Sequence, residues 1–129
     1  MVVLDCETYT NYFLLSMLDT DSGKIKDFEL FDGQDFDAKT VTAILKKHTT
    51  LGFNSSNYDL PVIVAALRGD TNAQIKQLSD DIINAPKVWP VLKKHKINIP
   101  QGFDHIDIMP IPIGQASLKI YGGRLHAPK

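Results

Sequence analysis

The sequence predicts an α/β domain whose elements run β-β-β-α-β-α, followed by further helices. Three observations carry this. The first thirty residues contain apolar runs of strand length separated by turn formers. Two later stretches have helical periodicity with start and stop signals, and a short apolar run lies between them.

Residues 1–9 read as a buried strand, and Tyr12 to Leu18 as a second apolar strand closed by Asp19-Thr20-Asp21-Ser22-Gly23. Ile25 to Phe31 alternates apolar with charged residues, the pattern of a half-exposed antiparallel strand, and Asp32-Gly33 ends it. These three form a meander. Asp37 can cap a helix carrying Val41, Ile44 and Leu45 on one face, with Lys46, Lys47 and His48 where positive charge suits the dipole. Thr49 to Phe53 is a short strand. The polar stretch Asn54-Ser55-Ser56-Asn57-Tyr58-Asp59 then leads into a helix from Leu60 to Leu67, with Pro61 in its first turn and Gly69 as its stop. Thr71-Asn72 can cap a helix to about Ile83, which Pro86 breaks. Val88 to Lys96 is a short helix or irregular segment. Phe103 to Met109 looks extended, Pro110 and Pro112 forbid a regular central strand there, and Gly114 to Leu125 is a last helix candidate.

At 129 residues the chain is long enough for one domain with a real core. A net charge of −1 argues against a generic nucleic-acid coat. Its distribution says more: residues 1–64 carry ten acids against five Lys/Arg, and residues 65–129 carry nine Lys/Arg against five acids. That asymmetry suits an acidic pocket on one part and a basic surface on another. No apolar run reaches the length of a membrane span and no basic region precedes an apolar one, so the expectation is a cytoplasmic protein without a membrane partner. Cys6 is the only cysteine, which excludes an internal disulfide and a cysteine-based zinc site and leaves it a small core residue.

The first strand also carries the chemistry. Asp5 and Glu7 stand two residues apart, so they project to one face while Leu4, Cys6 and Thr8 project to the other. Two adjacent acids repel, and a divalent cation between them would remove the repulsion. On this stretch alone, two solvated acids on a frayed strand serve equally well.

Asp5-Cys6-Glu7 has the D-x-E form that opens the DEDD-type 3′–5′ exonucleases, and residues 54–59 have the N-x-x-x-(F/Y)-D form of that family's second motif, followed by Leu60-Pro61. Just over fifty residues separate the motifs, and they stand on the first strand and at the start of the helix after the fourth. The chain thus resembles the proofreading exonuclease domain of phage-type DNA polymerases. Residues 105–109 and 117–125 are similar to the stretch that precedes the third motif in such polymerases.

The resemblance implies an RNase H-like mixed sheet and a two-metal hydrolysis of DNA, with two Mg²⁺ or Mn²⁺ ions as cofactors. Single-stranded DNA or a DNA 3′ end would be the partner, beside a polymerase domain in a longer chain, in the cytoplasm of a bacterial or phage-infected cell. It implies that Asp5 bridges both ions, Glu7 binds the ion that activates water, and Asp59 helps hold the second. Asn54 and Tyr58 would shape the loop that places Asp59, and Thr8 and Leu60 would contact the terminal nucleotide. Lys93, Lys94 and Lys96 become candidate DNA contacts.

One part of the pattern is missing. The third motif, Y-x-x-x-D or H-x-x-x-x-D, occurs nowhere in these residues. The expectation is therefore the front part of a longer protein, cleaving DNA poorly or not at all unless Asp104 or Asp107 closes the site. Simpler readings stand beside these roles: Asp59 as a helix N-cap, Asn54 as a turn residue, and the lysine run as a solvated face. The histidines are expected at the surface, and Tyr9, Tyr12 and Trp89 in packing. A non-catalytic nucleic-acid-binding module of the same fold, and a ribonuclease or junction nuclease, remain as alternatives.

Overall fold

In the computed structural model, which describes residues 1–108, the chain is an α/β domain with helices packed on one face of a five-stranded mixed sheet. Its elements are β1 (Val2–Tyr9), β2 (Tyr12–Asp19), β3 (Ile25–Phe31), α1 (Ala38–Lys47), β4 (Thr50–Phe53), α2 (Asp59–Leu67), α3 (Asn72–Asn84), α4 (Trp89–Lys94) and β5 (His105–Ile108). The order β-β-β-α-β-α is as expected. The later part of the chain is not purely helical: after α3 and α4 the backbone returns to the sheet as β5. The helix candidate at Gly114–Leu125 and the similarity over residues 117–125 lie outside the described residues.

The strands are arranged β3-β2-β1-β4-β5. The antiparallel meander is in register, with Asp5 opposite Ser16 and Tyr9 opposite Tyr12. β4 runs parallel to β1 through Val2↔Thr50 and Val3↔Leu51, and β5 runs parallel to β4 from Thr50↔His105 to Phe53↔Ile108. Turn chemistry fixes the meander. The Asp19 carboxylate accepts from the Asp21 amide and the Ser22 hydroxyl, both at 3.0 Å, and Gly33 at φ 86° turns the chain after β3.

The helices start where side chains can satisfy their first amides. Asp37 accepts from the Thr40 N–H at 3.1 Å to cap α1, and Thr71 with Gln74 forms a reciprocal capping box on α3. Alternation along β1 and β2 sends Val2, Leu4, Cys6, Phe13, Leu15 and Met17 to the helical side, where they meet Val41 and Leu45 of α1, Val62 and Ile63 of α2, and Ile75 and Leu78 of α3 in one buried core. Cys6 is buried there, as expected. By register the opposite face carries Asp5, Glu7, Leu14, Glu29, Phe53, Ile106 and Ile108, all half-buried or exposed. Among the described residues, no helix is long and apolar enough to cross a membrane.

Candidate functional site

The loop of residues 54–58 between β4 and α2 positions Asp59, and it is shaped from three directions. The first is steric. A Cβ on Gly52 would stand 2.6 Å from the Ser55 Cβ and 2.8 Å from its Oγ, so only glycine lets the loop fold back over β4. Asn54 makes the reversal at φ 51°, a left-handed conformation that asparagine tolerates better than most residues.

The second direction is β5. The Asp107 carboxylate accepts the N–H of Ser55 at 2.9 Å through one oxygen and that of Ser56 at 3.0 Å through the other. His105 lies between two hydroxyls, its Nδ1 2.6 Å from Thr50 Oγ1 and its Nε2 2.5 Å from Ser55 Oγ. Both hydroxyl-bearing residues are fully buried, and burial pushes the His105 pKa down against the opposing effect of Asp107. A neutral ring suits this place, with one nitrogen donating and the other accepting.

The third is β1. The Tyr58 hydroxyl lies 2.8 Å from Thr8 Oγ1 and 2.7 Å from Ser79 Oγ, and Thr8 donates to Ser79 at 2.9 Å. This triangle ties β1, the loop and α3 together. The Cys6 thiol points at the Asp59 carbonyl at 4.0 Å.

So held, Asp59 becomes the first residue of α2. Tyr58 takes the cap position, so the simple N-cap reading of Asp59 does not hold. Its side chain is 5% exposed. Burial, then the charges of Asp5 and Asp107, raise its pKa well above the usual carboxylate range. Burial, then the charges of Asp59 and Asp5, also push the Cys6 thiol up. Asp5 and Asp59, fifty-four positions apart, are thus brought within electrostatic reach. Glu7 shares Asp5's side of β1 and is exposed. Among the described residues, no three His, Cys, Asp or Glu side chains are gathered closely enough to hold a metal ion.

The other expected residues are more widely spread. Leu60 is packed into the core, and the Thr8 hydroxyl is engaged by Tyr58 and Ser79. Lys93, Lys94 and Lys96 are exposed at and just beyond the end of α4, Lys94 lying 3.6 Å from Asp81. Asp104 is on the outside, accepting from the Thr49 hydroxyl at 2.6 Å. Two histidines depart from the surface expectation: His105 is built into the loop's support, and His95 is paired with Asp81 at 2.7 Å, whereas His48 is exposed as expected and His126 lies outside the described residues. Tyr9 and Trp89 are 52% and 64% exposed, so packing does not account for them.

Sequence reasoning assigns no role to His105, Ser55, Thr50, Ser79 or Gly52. One signal is present: His105-Ile106-Asp107-Ile108 alternates with period two, which places His105 and Asp107 on one face. No family model and no curated protein matches this chain.

Proposed function

We propose that the chain is an RNase H-like domain of a metal-dependent 3′–5′ exonuclease of the DEDD type. It would act on DNA as the proofreading module of a DNA polymerase, in the cytoplasm of a bacterial or phage-infected cell. The observation that carries this is buried Asp59 at the first turn of α2, within electrostatic reach of Asp5 of β1.

An all-carboxylate donor set suits a hard cation, and Mg²⁺ is commonly held by one or two carboxylates with water and substrate phosphate completing its shell. Asp5 and Asp59 would be the two carboxylates that hold such an ion, and the resemblance implies Glu7, on Asp5's face, as a third acid and two Mg²⁺ or Mn²⁺ ions as the full complement. Such ions, when bound, make a water nucleophilic and stabilise the leaving oxygen of an in-line displacement. The chain's own residues hold the acids in place. The Tyr58–Thr8–Ser79 triangle and the β5 contacts fix the loop, and α2 directs its N-terminal dipole toward the end that bears Asp59.

Hydrolysis by these 129 residues should be slow, because the sequence has no Y-x-x-x-D or H-x-x-x-x-D to supply a fourth acid. The test is degradation of 3′-labelled single-stranded DNA, with an RNA strand of the same sequence alongside. We expect slow, Mg²⁺- or Mn²⁺-dependent loss of label that Asp5→Asn and Asp59→Asn abolish. Cleavage indifferent to metal or to both substitutions would refute the assignment, and preference for the RNA strand would redirect it to ribonuclease chemistry.

A second reading, a non-catalytic nucleic-acid-binding module, is favoured by one observation. Tyr9, Tyr12 and Phe31 form a row across three strands on the face of Asp5 and Glu7, with ring centroids 6.3 and 6.1 Å apart. Exposed aromatics in series can stack successive bases of a single strand. On this reading, DNA binding survives Asp5→Asn and no hydrolysis accompanies it.

A further inference from the structure

Asp107 stands outside the D-x-E and N-x-x-x-Y-D motifs, yet it is the residue most directly bonded to the loop that presents Asp59. Its two oxygens take the consecutive amides of Ser55 and Ser56, so the carboxylate grips the backbone at two points and fixes its orientation. In register it faces Gly52, over which Ser55 of the loop packs too closely for any side chain. His105, two residues earlier on the same face of β5, grips the same loop through the Ser55 hydroxyl.

An amide side chain or a water could satisfy loop amides without bringing a net charge. A carboxylate brings one, and it lies close enough to act on Asp59. The structure therefore gives Asp107 two effects on one neighbour. It holds the loop that leads into Asp59 by the Ser55 and Ser56 amides, and its charge acts on Asp59 together with that of Asp5.

We propose that Asp107 is a positioning residue for the acid pair, tuning through the Ser55–Ser56 amides and its own charge how tightly Asp5 and Asp59 take a divalent cation. Its oxygens are engaged with the loop, and it acts through Asp59 rather than as a ligand itself. This rests on the proposed reading of Asp5 and Asp59 as ligands. Groups that orient metal ligands in this way commonly alter affinity by about 10–100-fold when replaced.

The experiment is titration of the whole 129-residue chain with Mn²⁺ alone, monitored by calorimetry and by the electron paramagnetic resonance of free Mn²⁺. A urea transition is recorded for each variant. We expect the wild type to bind, Asp5→Asn to lose binding, and Asp107→Asn to bind roughly 10–100-fold more weakly while still unfolding cooperatively. Should Asp107→Asn fail to fold, Asp107→Glu takes its place. It keeps the charge but shifts the carboxylate by one methylene, and it too should bind at least roughly tenfold more weakly.

If Asp5→Asn abolishes binding but the folded Asp107 variant binds within twofold of wild type, Asp107 is only a loop fastener and the proposal is overturned, with the ligand reading left standing. If the wild type binds no Mn²⁺, or Asp5→Asn binds as well as wild type, the ligand reading fails and the proposal falls with it.

Discussion

Gly52→Ala tests whether the loop that carries Asp59 depends on the close approach at β4. The added methyl would stand 2.6 Å from the Ser55 Cβ, 2.8 Å from its Oγ and 3.3 Å from Leu4 Cδ1. Carbon atoms in ordinary contact sit about 3.5 Å apart or more, so Ser55 must retreat by about 0.9 Å. Leu4 lies in the core and gives little room on the other side. Overpacking of this kind costs about 1–3 kcal/mol. A retreat of that size also stretches the Ser55 contacts to His105 and Asp107, now 2.5 and 2.9 Å, each worth about 1 kcal/mol when lost. The expected loss is therefore about 3–5 kcal/mol, a substantial share of the stability of a domain this size. Urea unfolding measures the loss, and amide hydrogen exchange at Ser55 and Ser56 locates it. An unchanged unfolding midpoint with unchanged protection of both amides would show that the close approach does not hold the loop.

The same geometry gives two more expected outcomes. The raised pKa of Asp59 favours the folded state below the ordinary carboxylate range, and that contribution is lost as pH rises through the raised value. The metal-free wild type should thus lose stability over this window while Asp59→Asn does not, and thermal melts with parallel pH profiles would contradict this. Tyr58→Phe removes one corner of the Tyr58–Thr8–Ser79 triangle but leaves Thr8 bonded to Ser79, so the loss should be about 0.5–1.5 kcal/mol, and a urea midpoint equal to wild type would show that the hydroxyl contributes nothing.

The meander, the caps and the faces of β1 could be read from the sequence because each depends on neighbours within a few residues. Asp37 and Thr71 cap the amides three positions on, and Leu4 and Asp5 separate by simple alternation. The pairing of β5 with β4 could not be read this way. Its four residues share a stretch with Pro110 and Pro112, and nothing local states that the chain returns to the sheet after two helices. The same limit applies to the site. Asp5 and Asp59 carried a motif, but His105 and Asp107 gain their place only from contacts about fifty residues away. Leu60 shows a different limit: a helix that is apolar nearly all round does not reveal which side chains face the core.

That long reach bears on how the chain acquires its site in time. The hairpins of β1, β2 and β3 close over short loops and can form early, whereas the contacts from Asp107 to Ser55 and Ser56 close a span of about fifty residues. Long-range pairings of this kind are entropically costly until much of the structure is in place. During synthesis, β5 emerges some fifty residues after the loop, so a nascent chain passes through a stage in which β1 and α2 exist without their fastening. The contacts of His105 and Asp107 with the loop before Asp59 are then the last of its described supports to become available, after those from β1 and α3.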